Sequence, residues 1–115
     1  MRDKRVSKAI FLMTADLRRP LTLAETAQRV GLSVSHLSYL FKRETGQSPL
    51  RYVMTERLKR SAEFLTTSQL SIKEIMDAVG FADKSDFNRT FKRYFRQSPS
   101  AYRKQKAQLP NRKID

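Results

Sequence analysis

The sequence predicts an all-α fold, and three features of the chain support that prediction. The 115 residues include only three glycines and four prolines, so the signals that mark turns are sparse. No segment shows the alternation of polar and apolar residues that is typical of a half-buried strand. Apolar residues instead recur at intervals of three and four, which places them on one face of a helix.

The first helix is expected to run roughly from Asp3 to Arg18. Its apolar face consists of residues at helical spacing, namely Val6, Ile10, Met13 and Leu17. Pro20 is expected to end this segment, because proline has no backbone N–H to donate to a helical hydrogen bond.

Capping signals then predict two shorter helices. Thr22 and Glu25 stand three residues apart, as in a capping box, and Gly31 is placed to end this second helix after two turns. Ser33 is expected to cap a third helix over residues 34–45. The inward face of the third helix is apolar and consists of Leu37, Leu40 and Phe41.

A long fourth helix is expected next. Gly46 is placed to end the third helix, and Ser48 followed by Pro49 is a strong signal that another helix begins. The apolar pattern continues to about Thr66 and consists of Met54, Leu58, Ala62 and Leu65.

The same signals then recur in the second half of the chain. Ser71 and Glu74 form another capping-box pattern, and Gly80 is placed to end a fifth helix. Asp83 is expected to cap a sixth helix. The inward residues of the sixth helix are aromatic: Phe87, Phe91, and either Tyr94 or Phe95.

Ser98 and Pro99 signal the start of a seventh helix, which is expected to end at about Lys106. Residues 107–115 are polar and are expected to form a flexible tail. Arg96 stands where the third helix has its terminal glycine. A left-handed backbone at this arginine would cost about 1 kcal/mol.

The chain contains a repeat. Residues 41–49 read FKRETGQSP and residues 91–99 read FKRYFRQSP, so six of nine letters agree in one register. Upstream, an offset of 49 pairs Leu21, Glu25, Val30 and Gly31 with Leu70, Glu74, Val79 and Gly80. Each copy has a short helix, a turn with glycine and a second helix, which outlines a helix-turn-helix whose second helix enters the DNA major groove. An ordinary helical hairpin is the alternative, but two copies on a basic chain favour DNA.

Composition limits the class of function. The net charge of +13 favours a polyanionic partner, which could be DNA, RNA or an anionic membrane surface. The longest apolar run, residues 9–13, is far shorter than the roughly 20 residues of a transmembrane helix, so no membrane span is expected. Without cysteine and with one histidine, His36, the chain offers no thiolate or multi-imidazole metal site, and no cofactor is expected. It also lacks a nucleophile–base pair and a phosphate-binding glycine loop, so we do not expect an enzyme.

The segment SIKEIMDAVGFADKSDFNRTFKRYFRQSPSAYR, residues 71–103, resembles the DNA-binding domain of the AraC/XylS family of bacterial transcription regulators. The first half fits the same family pattern through Leu37, Phe41, Lys42, Glu44, Thr45, Gly46, Ser48 and Pro49. The resemblance implies about seven helices in two helix-turn-helix subdomains, residues 3–50 and 67–106, joined by a long linker helix, residues 48–66.

The resemblance also implies a sequence-specific regulator that places two recognition helices in adjacent major-groove segments of double-stranded DNA. Such a protein would act in the cytoplasm at the bacterial nucleoid, with RNA polymerase as its protein partner. Many members of the family carry an additional effector-binding or dimerisation domain, so the chain is expected to be either a stand-alone regulator or the DNA-binding part of a larger protein. The alternatives are a non-specific architectural DNA-binding protein and an RNA-binding basic protein.

The candidate site residues follow from the exposed faces of the two second helices. Residues near the start of each helix are expected to contact base edges: Ser35, Ser38, Tyr39, Lys84, Ser85, Asn88 and Arg89. Arg89 is the strongest candidate, because its planar fork can bond O6 and N7 of guanine. The expected contacts to the DNA backbone are His36, Lys42, Arg43, Lys92 and Arg93, with helix starts at Thr22, Ser48, Ser71 and Ser98. Asp86 is expected to favour the helix dipole; accepting from cytosine or orienting Arg89 are its alternative roles.

Overall fold

The structure, a computed structural model, describes residues 2–108. Within that range it consists of seven α-helices and contains no strand, which confirms the all-α prediction. The helices are α1 (Lys4–Thr14), α2 (Leu23–Arg29), α3 (Val34–Thr45), α4 (Pro49–Thr67), α5 (Ile72–Val79), α6 (Lys84–Phe95) and α7 (Pro99–Gln108). Among these residues, no helix has the combination of length and apolar content that a membrane span requires. Most of the predicted tail, from residue 109 onward, lies outside the described residues.

Side-chain caps begin most of the helices, as the sequence predicts. At five starts a serine or aspartate oxygen accepts the backbone N–H three residues later, at 2.8–3.2 Å: Ser33, Ser48, Ser71, Asp83 and Ser98. At α5 the capping box is complete, because the N–H of Ser71 also donates to Oε1 of Glu74 at 2.8 Å. These bonds satisfy N–H groups that the first turn of a helix leaves without a partner.

The capping box predicted at Thr22 does not form, so that prediction was wrong. The backbone at Thr22 has φ −117° and ψ 87°, and its side chain makes no hydrogen bond to the first turn of α2. The hydroxyl points back along the chain instead and lies 3.5 Å from the carbonyl oxygen of Pro20. Matching residue types at the right spacing are therefore not sufficient, because the cap also requires an extended backbone at the first residue.

Helix α1 ends at Thr14, four residues before the predicted end at Arg18. The carboxylate of Asp16 accepts the backbone N–H of Arg18 at 3.1 Å and also pairs with its guanidinium at 3.2 Å. Aspartate side chains commonly compete with a helix in this way, because they offer the backbone a local turn. Leu17 is still buried, so the turn keeps the predicted apolar contact without the helix.

The chain divides into two compact units between Glu56 and Arg57, inside α4. In the first unit the core is formed by Val6, Ala9, Met13, Leu17, Ala27, Val30, Leu37, Leu40, Phe41 and Val53. The start of α1 is fastened to the end of α3, because the N–H of Asp3 donates to Oε1 of Glu44 at 2.7 Å. This unit holds α1, α2, α3 and the first turns of α4.

The second unit has a strongly aromatic core. Its buried apolar residues are Leu58, Ala62, Leu65, Ile75, Met76, Val79, Phe81, Phe87 and Phe91. Between the two candidates left open at the end of α6, Phe95 packs inward against Phe91 with ring centroids 4.5 Å apart, whereas Tyr94 is 45% exposed. Arg103 on α7 donates to the carbonyl oxygens of Leu65 and Ser68 at 3.0 and 3.2 Å, and so caps the end of α4.

The internal repeat has an equivalent contact in each unit. Phe41 meets Tyr52 edge to face at 5.3 Å and 86°, and Phe91 meets Tyr102 at 5.5 Å and 86°. Each pair joins the second helix of a helix-turn-helix to the helix that follows it. The letters shared by the two copies are therefore mainly scaffold, since the two phenylalanines are fully buried and the two tyrosines are half-buried against them.

Arg96 has the left-handed backbone conformation that its alignment with Gly46 indicated. Its φ is 69°, and the corresponding Gly46 has φ 83°.

Replacing Arg96→Gly is expected to stabilise the second unit by about 1 kcal/mol, because glycine adopts this region without steric cost. For a unit of this size such a gain corresponds to a rise in Tm of about 4–8 °C in thermal unfolding followed by circular dichroism. Arg96→Ala removes the same charge but keeps the strain, so it should show no gain; an equal gain from both variants would contradict this explanation.

Candidate nucleic-acid interface

Each unit contains two short helices joined by a tight turn. In the first unit α2 ends at Arg29 with Val30 as its C-cap. Gly31 follows with φ 78°, and the N–H of Leu32 donates to the carbonyl oxygen of Ala27 at 2.9 Å. In the second unit Gly80, with φ 94°, ends α5, and the N–H of Phe81 donates to Met76 at 2.9 Å. This bonding closes a helix end and redirects the chain. Both turns therefore present their second helix, α3 or α6, in the manner of a helix-turn-helix.

The outward face of α3 is set by what the helix buries. Its buried residues are Leu37, Leu40 and Phe41. The opposite side carries the predicted contact residues, of which Ser35, His36, Tyr39, Lys42 and Arg43 are exposed and Ser38 is half-buried. Tyr39 is 62% exposed, so its ring is not part of the core. The predicted set thus lies on the accessible side of α3.

The outward face of α6 is arranged in the same way but carries more charge. Phe87 and Phe91 are fully buried. On the other side Lys84, Ser85, Arg89, Lys92 and Arg93 are exposed and Asn88 is half-buried. An accessible helix with a buried aromatic side and a basic polar side can approach a polyanion without disturbing its own core.

Asp86 contacts the strongest base-reading candidate directly. Its Oδ1 accepts from Nη2 of Arg89 at 2.7 Å, one helical turn away. Both side chains are exposed, at 60% for Arg89 and 42% for Asp86, so the pair adds little stability by itself. The bond does occupy one of the two terminal nitrogens of the Arg89 guanidinium, Nη2. The bond to Arg89 agrees with one of the alternative roles expected for Asp86, in which its carboxylate orients Arg89. The backbone N–H of Asp86 separately donates to the carboxylate of Asp83, which caps the helix.

Four further cations lie later in the two helices. Lys42, Arg43, Lys92 and Arg93 are exposed, and none of them pairs with a carboxylate among the described residues. Arg5, by contrast, is paired: its guanidinium bonds Asp3 and lowers the pKa of that carboxyl to about 2. An unpaired cation can neutralise a phosphate without first losing a partner, so these four are the better candidates for backbone contact.

The helix starts offer fewer donors than the sequence implied. In α4 and α7, Pro49 and Pro99 have no N–H, and Ser48 and Ser98 satisfy the third amide of the turn. At α5 the carboxylate of Glu74 occupies the N-terminus. At α2 the side chain of Thr22 caps none of the first-turn amides. The four predicted starts are therefore chemically unequal.

Val34 is a residue of the accessible face that the sequence reasoning missed. It is the first residue of α3 and is 41% exposed. The sequence analysis assigned it to neither the inward face nor the contact set. Helical phase could not have identified it, because Val34 precedes the buried Phe41 by seven residues, or about two turns, and so lies on the same side of the helix. Its exposure follows from the structure alone.

Comparison with known proteins agrees with this geometry. A family model described as a helix-turn-helix domain matches residues 26–105. The Msm operon regulatory protein of Streptococcus mutans is 40% identical over 85 residues, covering 74% of this chain and 31% of that protein. The multiple antibiotic resistance protein MarA of Escherichia coli is 35% identical over 88 residues, covering 76% of this chain and 69% of MarA. The HTH-type transcriptional regulator AlkR of Acinetobacter baylyi is 35% identical over 100 residues, 87% of this chain and 33% of AlkR. The chain thus spans about a third of the length of the Msm protein and of AlkR.

Solved structures are similar over nearly the whole chain. An AraC-type transcriptional regulator from Chromobacterium violaceum superposes with a TM-score of 0.84 at 33% identity, covering 93% of this chain and 96% of that one. The DNA-binding domain of AdpA, solved in complex with a target DNA, superposes with a TM-score of 0.85 at 25% identity. That superposition covers 93% of this chain and 97% of the AdpA domain.

Proposed function

Because the chain belongs to the AraC/XylS family of helix-turn-helix proteins, we propose that it binds double-stranded DNA sequence-specifically and regulates transcription. The relatives and the fold are those of transcription regulators and their DNA-binding domains, not of enzymes. The observation that carries the proposal is the exposed polar face of α3 and of α6, each standing opposite a buried phenylalanine. A helix of this kind can enter the major groove while the rest of its unit stays folded.

Base reading is assigned to the N-terminal halves of the two second helices. Arg89 can present its fork to O6 and N7 of guanine, and Asp86 accepts a hydrogen bond from its Nη2 at 2.7 Å. Asn88 has the amide that suits adenine, and Ser35, Ser38 and Ser85 have hydroxyls that can pair with several bases. The remaining members of the base-reading set are Tyr39 and Lys84.

Backbone contacts are assigned to cations in the C-terminal halves of α3 and α6, to one histidine near the start of α3, and to the starts of four other helices. The cations are Lys42, Arg43, Lys92 and Arg93, together with the exposed ring of His36. The starts of α2, α4, α5 and α7, at Thr22, Ser48, Ser71 and Ser98, would contribute amide donors, and Thr22 is the one of the four whose side chain does not cap its helix. Such contacts fix position on the duplex without reading sequence.

The remaining parts of the proposal rest on family membership. The two subdomains, residues 3–50 and 67–106, with the linker of residues 48–66, would occupy adjacent major-groove segments. The site of action would be the bacterial nucleoid in the cytoplasm, and RNA polymerase would be the protein partner. An effector-binding or dimerisation domain, as in larger family members, would belong to a longer form of the protein.

Selection of binding sites from random duplex DNA tests the function. We expect the recovered duplexes to share two conserved blocks about 10 bp apart, because adjacent major-groove segments on one side of B-DNA repeat at that distance. In a gel-shift assay, binding to the selected duplex should survive an excess of random-sequence competitor. Loss of binding in proportion to competitor would instead indicate an architectural protein, and preference for structured RNA would indicate an RNA-binding protein. A single conserved block would mean that one unit alone reads bases.

Replacing Arg89→Ala provides the residue-level form of this test. Loss of a bidentate contact to guanine should cost about 1–3 kcal/mol and remove the base preference at one position of one block. The matched variant Lys92→Ala, one turn further along the same helix, should weaken all duplexes alike. Equal effects of both variants on every sequence would show that Arg89 contacts phosphate and not a base.

A further inference from the structure

The two second helices can be compared position by position. An offset of 50 superposes the buried Phe41 on Phe91, so the outward positions correspond as well. The four pairs at the N-terminal halves are Val34 and Lys84, Ser35 and Ser85, Ser38 and Asn88, Tyr39 and Arg89. Thus α6 offers an ammonium, a hydroxyl, an amide and a guanidinium. At the same places α3 offers an isopropyl group, two hydroxyls and an aromatic ring.

The apolar members of the α3 face are accessible. Val34 is 41% exposed and Tyr39 is 62% exposed. Single exposed apolar residues are ordinary on a protein surface. These two differ in that they replace a lysine and an arginine at the positions where the equivalent helix carries its charge. The N-terminal half of α3 therefore has little ability to pair with guanine, and more ability to cover an apolar group, while the cations of α3 lie later in the helix at Lys42 and Arg43.

Among the four bases, thymine is the one that offers such a group in the major groove. Its C5 methyl projects there, and apolar side chains that approach it read thymine directly. We infer that α3 reads thymine methyl groups through Val34 and Tyr39, whereas α6 reads guanine through Arg89. The inference rests on the proposed function and adds to it the bases that each helix prefers. It also assigns Val34 as a specificity-determining residue.

The serines of α3 are compatible with this preference. Ser35 and Ser38 lie one turn before Tyr39 and one turn after Val34, respectively, so a hydroxyl accompanies each apolar group along the helix. A hydroxyl can donate to O4 of thymine or accept from N6 of adenine. The α3 block of the binding site is therefore expected to be rich in A·T pairs, and the α6 block to contain a required guanine.

Deoxyuridine substitution tests the inference with the selected duplex and the full chain. Deoxyuridine pairs as thymine does and lacks the methyl group alone. The block whose guanine preference disappears in Arg89→Ala is assigned to α6, and the other block to α3. Thymines are then replaced in one block at a time, and the Kd is measured by fluorescence anisotropy.

We expect substitution in the α3 block to weaken binding about fourfold for each contacted methyl group, and substitution in the α6 block to have little effect. Val34→Ala and Tyr39→Ala should each reduce the penalty for deoxyuridine, while Tyr39→Phe should retain it because the ring remains. Arg89→Ala serves as the matched control and should leave the penalty in the α3 block unchanged.

Three results would overturn the inference: an α3 block without thymine, an unchanged Kd with deoxyuridine, or a penalty that persists in both alanine variants. The last of these would indicate that the methyl group acts through DNA shape and not through contact with α3. Failure of the proposed function is a separate result, because selection would then recover no conserved duplex at all.

Discussion

Raising the monovalent salt concentration from 50 to 200 mM is expected to weaken binding to the selected duplex by about 10³–10⁵-fold, if about 6–10 phosphates are neutralised. The physical reason is counterion release, since each phosphate that meets a lysine or arginine frees a condensed cation. The net charge of +13 provides enough cations for this number of contacts. Fluorescence anisotropy at several salt concentrations gives the slope of log K against log salt.

Single variants connect that slope to particular residues. Lys92→Ala and Arg93→Ala should each reduce its magnitude by about 1, because each would remove one phosphate contact. Arg5→Ala is the matched control, since Arg5 is exposed but already paired with Asp3 at 3.0 Å, and it should leave the slope unchanged. A nearly flat salt response of the unmodified protein would contradict DNA binding, and an equal change in all three variants would mean that only the total charge matters.

The parts of the fold that the sequence predicted well are those set by local chemistry. Ser33, Ser71 and Asp83 cap helices where their spacing placed them, because the cap involves a side chain and an amide only three residues apart. The glycine ends at Gly46 and Gly80 have positive φ for an equally local reason. These interactions do not depend on what packs against the helix, so the sequence is sufficient to locate them.

The parts that the sequence predicted less well depend on a choice between competing contacts. At the end of α1 the apolar spacing continued to Leu17, but the Asp16 carboxylate captured the backbone of Arg18 and ended the helix at Thr14. At α6 the sequence could not choose between Tyr94 and Phe95. In the structure Phe95 packs against Tyr102 on α7, with ring centroids 5.1 Å apart. Contacts between elements of this kind have no signal in the local pattern.

The candidate site shows the same division. The exposed face of α6 was predictable from the helical period, because Phe87 and Phe91 define the opposite side. The bond between Asp86 and Arg89 was one of several options for the aspartate, since capping and pairing both suit a carboxylate in the first turn. Val34 was given no role by the sequence analysis, and helical phase would have placed it beside the buried Phe41, seven residues further on. Its exposure therefore depends on how the start of α3 is packed, for which the local pattern has no signal.

Replacing Phe91→Ala is expected to destabilise the second unit by about 3–5 kcal/mol, because a fully buried ring is exchanged for a cavity. Phe91 is the centre of the aromatic cluster, with its ring 5.7 Å from Phe87, 4.5 Å from Phe95 and 5.5 Å from Tyr102. Each aromatic pair adds about 0.5–1.5 kcal/mol beyond the buried area. A small domain is stable by only about 5–15 kcal/mol in total, so much of the unit's stability would be lost.

Hydrogen exchange measured by mass spectrometry shows where the loss occurs. In Phe91→Ala, amides of α5, α6 and α7 should lose protection while those of α1, α2 and α3 retain it. Phe41→Ala is the matched variant in the first unit and should give the reverse pattern, because Phe41 is equally buried and makes the equivalent contact with Tyr52. Since each variant releases one recognition helix, Phe91→Ala should abolish the requirement for the α6 block while the α3 block is still read. Loss of protection throughout the chain in both variants would instead mean that the two units unfold as one cooperative domain.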